Sequence, residues 1–107
     1  MSDIDAILIE RSYTHGAFRE VARISQHIKS LIQSEDGFMR LNMTQRETLD
    51  MLAIKIARIL AGEPDTQDHW TDISGYARLA EKDVVERTQL EVVAASVEAQ
   101  MRELRNA

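Results

Sequence analysis

The chain has 107 residues, 44% hydrophobic and 29% charged, with a formal net charge of −5. That length supports one modest core and excludes a second domain with a core of its own. The absence of cysteine excludes disulfides, thiolate metal sites and cysteine nucleophiles, and the acidic balance argues against non-specific nucleic-acid binding, which needs excess Lys and Arg at phosphates.

Aromatic residues are few, so the core must rest on Ile, Leu, Val, Ala and Met. The opening residues MSDIDAILIERS carry a short apolar run, Ala6 to Ile9, without a basic leader. No stretch approaches the roughly 20 apolar residues of a membrane span. The expected location is the cytoplasm.

In chain order, Ser2 to about Arg11 reads as a first helix, with Ser2 and Asp5 at cap-like spacing. The segment SYTHG, ending at Gly16, is expected to interrupt it. A second helix is expected from about Ala17 to Gln33, its apolar stripe being Phe18, Val21, Ile24, Ile28 and Leu31. Residues 34–43 read as a loop turning at Gly37.

Thr44 and Glu47 have the spacing of a capping box ahead of the third helix. Leu49, Leu52, Ile56, Ile59 and Leu60 form one stripe there. Met51, Ile54 and Ala61 are apolar outside it, the pattern of a helix at the centre of a bundle. Gly62 and Pro64 should end that helix. A fourth begins near Asp65 to Asp68, with Trp70, Ile73, Ala77 and Ala80 as its core face. Gly75 inside it costs about 0.5–1 kcal/mol unless close packing demands it.

From Glu81 the composition changes, and Leu90, Val93, Val97, Met101 and Leu104 recur at helical spacing. A helix over 82–105 is about 36 Å long at ~1.5 Å per residue, more than a bundle this small covers. Either this tail projects and self-associates, or it folds back as a last bundle helix. The expected architecture is all-α. A bundle of three or four helices occupies 1–80, and 81–107 form a long C-terminal amphipathic helix, the expected route to a homo-oligomer.

Three blocks carry a resemblance: Thr14-His15-Gly16-Ala17-Phe18, Ile24 to Lys29, and QRETLDMLAIKIARILAGEPDTQDHWTDISGYARL from Gln45 to Leu79. They resemble a family of small phage- and prophage-encoded proteins carried as a domain of unknown function. Its pattern is a T-H-G-D-F-like turn, then K-[IL]-[AG]-R-I, then G-x-P-x-x-x-D-x-W-x-D-I-x-G-Y-A. The resemblance covers about two thirds of the chain, and its last block is specific. It implies a mobile-element origin and an all-helical fold, and no activity. Ala17 departs from the pattern where an acidic residue is usual, and the tail after about Lys82 is an addition.

Several residues could carry chemistry. Asp65, Asp68, His69 and Asp72 cluster at a helix start. Asp68 and Asp72 lie one turn apart, as do Asp65 and His69 if the helix starts early enough, and hard oxygen ligands at that spacing suit Mg²⁺ or Mn²⁺. The simpler reading is that acids in a first turn cap its free N–H groups and oppose the helix dipole. Glu47 and Asp50 make an E-x-x-D pair similar to that of the all-α nucleotide pyrophosphohydrolases, but the companion E-x-x-E is missing and Glu47 is claimed by the cap. Lys55 and Arg58 share a helix face. They suit either an anion pocket or, for Lys55, pairing with Asp68 or Asp72. His15 precedes a helix start, where an anion could bind. Trp70 and Tyr76 could stack on a base, although Trp70 reads first as the largest core anchor.

The expected function is a phage-type binding protein without catalysis, taking a host protein or a nucleotide-like anion, with counter-defence as a setting implied by the resemblance. The alternatives are a metal-dependent nucleotide pyrophosphohydrolase and a structural assembly component. The expected ligand-binding residues are His15, Lys55, Arg58, Trp70 and Tyr76; the expected metal ligands are Asp68, Asp72, Glu47 and Asp50.

Overall fold

Helical spacing throughout the sequence yields helices throughout the structure. The computed structural model describes residues 2–107, leaving Met1, the first residue of the expected core segment, outside. Among the described residues there are four α-helices and no strand: α1 (Asp3–His15), α2 (Phe18–Ser34), α3 (Met43–Ala61) and α4 (Gln67–Asn106). None of these helices is long and apolar enough to cross a membrane. The link from α2 to α3 contains a short 3-10 turn, Asp36–Arg40, where a plain loop was expected. Arg46 holds this link by stacking its guanidinium over the Phe38 ring, 4.4 Å from the centroid.

The helix boundaries follow local chemistry. Ser2 caps α1: its Oγ accepts from the Asp5 N–H at 3.2 Å and donates to the Asp5 carboxylate at 2.8 Å. Instead of stopping near Arg11, α1 runs on through Ser-Tyr-Thr-His and ends at Gly16, whose φ of 86° few other residues accept. The capping box of α3 is Asn42 with Gln45, not Thr44 with Glu47. The Gln45 N–H donates to Asn42 Oδ1 at 2.8 Å and the Asn42 N–H to Gln45 Oε1 at 3.0 Å. Asn is at least as good an N-cap as Thr, and starting earlier gains an extra half turn.

Among the described residues α3 packs against α1, α2 and α4, so it is the central helix. Its deepest face differs from the expected Leu and Ile stripe. Ala53 and Ala57 are the buried apolar residues, joined by Val21 of α2. Leu49, Leu52 and Ile59 are half-buried at the flanks, and Ile56 and Leu60 face outward. Two small residues one turn apart let helices close in from both sides, which puts the larger side chains at the seams. On α2 the buried pair is Val21 and Ser25, whereas Phe18 and Leu31 are exposed.

Segments expected as a fourth helix and a tail form one unbroken helix of 40 residues, about 60 Å at ~1.5 Å per residue. Its inward face is His69, Ile73, Tyr76, Ala80, Asp83 and Arg87, and every residue from Thr88 onward is exposed. The tail therefore projects and does not fold back, giving a body 79 Å long and 28 Å by 24 Å across. A Cβ at Gly75 would meet nothing within 4 Å, so no close packing requires that glycine.

Candidate functional site

The α1–α2 turn crosses the end of α3 at a contact between two glycines. A Cβ on Gly16 would lie 2.5 Å from Ala61. One on Gly62 would collide with the Thr14 carbonyl and lie 2.6 Å from Gly16 N. Backbone bonds to backbone here: the Glu63 N–H donates to the Thr14 carbonyl at 3.0 Å.

That crossing positions two histidines. His69 is 2% exposed, the largest fully buried side chain. Its Nε2 lies 3.0 Å from the same Thr14 carbonyl, which can only accept, so Nε2 carries the proton and donates. The His15 ring stands edge-on to it, centroids 5.0 Å apart and planes at 87°. Thr14 Oγ1 lies 2.6 Å from His15 Nδ1 and 3.3 Å from the Arg11 carbonyl. A consistent chain runs His15 Nδ1–H to the Thr14 hydroxyl and on to that carbonyl, leaving His15 Nε2 as a free lone pair. Burial, then the charges of Arg58, His69, Lys55 and Arg11, hold the His15 imidazole below its ordinary 6.5.

Beside these rings lies a cleft of about 680 Å³ between α1, α2 and α3. Arg11, His15, Lys29 and Arg58 line it, and among the described residues no carboxylate does. None of Arg11, Lys29 and Arg58 has an ion-pair partner among the described residues. Leu8, Val21 and Ile54 supply apolar wall. Ser25 also lines the cleft, is only 4% exposed, and its Oγ has no hydrogen-bond partner among the described residues. A buried hydroxyl without a partner is uncommon, because its desolvation goes uncompensated. The α2 N-terminus borders the cleft through Gly16 and Phe18. Its N-cap, Ala17, offers no side-chain oxygen, so among the described residues the first-turn N–H groups receive no side-chain cap.

Of the expected ligand-binding residues, the structure places His15 and Arg58 together in this cleft. Lys55 is buried at 8% exposure, with its Nζ 2.8 Å from Asp72 Oδ2. That is the pairing open to it from the sequence. Trp70, as a core anchor, is corrected: it is 54% exposed and its indole N–H donates to the Pro64 carbonyl at 2.8 Å. With α4 starting at Gln67, its inward register takes residues 69 and 73, and Trp70 turns outward. Tyr76 sits half-buried on the inward face of α4 and does not line the cleft.

The four carboxylates stay apart as ligands. Glu47 and Asp68 are exposed, Asp50 is half-buried on α3, and Asp72 is engaged by Lys55. Among the described residues no three His, Asp or Glu groups gather as a cation site. The hydrogen bond from Lys55, then its charge, hold the Asp72 carboxyl below its ordinary 3.8. A lowered folded-state value means stability present above the unfolded value and lost as pH falls through the folded one. The melting temperature should therefore drop as pH falls below about 3.8. Lys55→Met, which removes the partner but keeps the packing, should flatten that acid limb in melts followed by circular dichroism. An unchanged limb would assign it to other carboxylates.

Arg11, Ser25 and Lys29 escaped the sequence reading, yet each had a signal. Arg11 lies one turn before His15, Lys29 one turn after Ser25, and Ser25 interrupts an otherwise apolar row. Residues 3–83 match the family model of a domain of unknown function, DUF6378. No curated protein and no solved structure matches the chain.

Proposed function

The chain belongs to the DUF6378 family, and on that footing we propose that it is a non-catalytic binding protein whose cleft between α1, α2 and α3 takes a nucleotide-like anion. One observation carries this reading: a protein of net charge −5 keeps a cleft lined by Arg11, His15, Lys29 and Arg58 with no acid among them. Guanidinium and ammonium groups grip phosphate oxygens, and the open α2 N-terminus adds backbone N–H donors. Ala17 supports this, because the acidic residue usual after His-Gly in the resembling pattern would cap that end. The apolar walls and the Ser25 hydroxyl suit the uncharged body of such a ligand, and the volume falls in the usual small-molecule range. A phage origin and a counter-defence setting rest on the resemblance to phage- and prophage-encoded proteins.

The test is isothermal titration with a panel of nucleoside mono-, di- and triphosphates. Arg58→Ala should weaken binding about 10- to 100-fold, the loss of one or two charge-assisted hydrogen bonds. An anion in the cleft favours protonated His15, so binding takes up a proton and affinity should rise as pH falls through the His15 range. His15→Ala should remove that slope. No saturable binding across the panel, or full affinity in Arg58→Ala, rejects the reading. The competing reading is the metal-dependent pyrophosphohydrolase. Pyrophosphate released from the same panel with Mg²⁺ or Mn²⁺, and lost in Asp68→Ala and Asp72→Ala, would replace binding by catalysis.

A further inference from the structure

We infer that the projecting part of α4 pairs with the same segment of a second copy as an antiparallel two-stranded coiled coil. The face of α4 that α3 covers recurs every seven residues as His69 and Tyr76, and again as Ile73 and Ala80. The rows pass through Asp83 and Arg87, ion-paired with each other at 2.9 Å, and then continue outward as Leu90, Val97 and Leu104, and as Ala94 and Met101. This is the heptad seam of a helix that takes another helix along its length. The Lys55–Asp72 pair fixes how α3 lies antiparallel on α4. Carried along both helices, that register brings the start of α3 level with about residue 84, and Arg87 is the last residue with any cover. Beyond it the large seam residues are 48–77% exposed. A bare apolar stripe of this length is uncommon on a monomer.

Charge selects the occupant and its direction. The proximal part of the tail carries Glu86, Arg87 and Glu91, its middle carries Glu98, and the distal end carries Arg102, Glu103 and Arg105. A second copy running antiparallel brings its distal end, net positive by one charge, to this proximal part, net negative by one. Glu91 then lies level with the partner's Arg105. Leu104 covers the partner's Ala94, a large side chain over a small one, and Met101 lies beside the partner's Val97. Glu98 meets its counterpart near the two-fold axis, each already paired with its own Arg102 at 3.3 Å. The partner's tip then stops short of α3, so the bundles do not collide. A parallel pair would stack Arg87 on the partner's Arg87 and set Glu86 against the partner's Glu91, both repulsive.

Because the chain has no cysteine, engineered disulfides report the geometry directly. Light scattering on the full chain should give twice the chain mass at micromolar concentration. Ala94→Cys combined with Leu104→Cys should form a covalent dimer under mild oxidation. Leu104→Cys alone should not, since antiparallel tips lie far apart. Val97→Asp should yield a monomer whose melting temperature at high dilution matches that of the unaltered chain, because Val97 touches nothing in the bundle. A monomeric mass at millimolar concentration overturns the proposal and leaves the seam to a foreign helix. Cross-linking by Leu104→Cys alone overturns it in favour of a parallel pair, and a trimer or larger species overturns the two-stranded form.

Discussion

Gly62→Ala is expected to destabilise the protein by about 3 kcal/mol, the upper end of the usual overpacking cost. The added methyl collides with the Thr14 carbonyl and with backbone atoms of His15 and Gly16. Backbone has no rotamer to change, so relief requires moving the whole α1–α2 turn. Moving that turn also strains the Glu63 N–H to Thr14 bond and the contact between Gly16 and Ala61. At ~4–8 °C per kcal/mol for a domain of this size, the melting temperature should fall by more than 10 °C. Gly75→Ala provides the contrast: its methyl meets open space inside a helix, and it should stabilise by about 0.5–1 kcal/mol. Thermal melts of both variants, followed at 222 nm, decide the matter. Equal melting temperatures would mean that the glycine crossing yields freely.

His69→Ala is expected to lose about 2–3 kcal/mol, combining a cavity with the loss of one hydrogen bond. The ring is almost wholly buried, and its Nε2–H ties α4 to the Thr14 carbonyl at the end of α1. That carbonyl keeps the Glu63 N–H, so the loss stops short of leaving an orphaned acceptor. His69→Gln can still reach the carbonyl and should recover part of the stability. His15→Ala should cost less, because His15 is only partly buried and bonds within its own helix. Chemical denaturation of the three variants gives the order. A His15→Ala loss as large as that of His69→Ala would move the lock from α4 to α1.

Helix existence was legible because it depends on spacing alone, and every expected helix is present. The Trp70 helix and the tail even share one inward register without a break. Burial was less legible, because it depends on which helix lies alongside. Ala53 and Ala57 look unimportant in the sequence beside Leu52 and Ile56. They become the core only because α2 and α4 close on them from both sides. Trp70 and His69 are neighbours, and a shift of one residue in register exchanges surface for interior. Hydrophobicity favoured the tryptophan, whereas the hydrogen bond available at Thr14 placed the histidine inside. The candidate site was half legible for a similar reason. His15 and Arg58 stand out in their motifs, but Arg11, Ser25 and Lys29 gain meaning only once α1 and α2 face each other across α3.

The 40-residue helix sets how the molecule moves through water. A globular chain of about 100 residues has a radius of gyration near ~13 Å, whereas this one reaches 21.0 Å. Such a rod meets more friction end over end than it does spinning about its long axis. Tumbling is therefore anisotropic, and amides along α4, nearly parallel to the rod, relax as if they belonged to a heavier particle. Sieving gels report the same exaggeration, eluting even a lone copy ahead of its true mass.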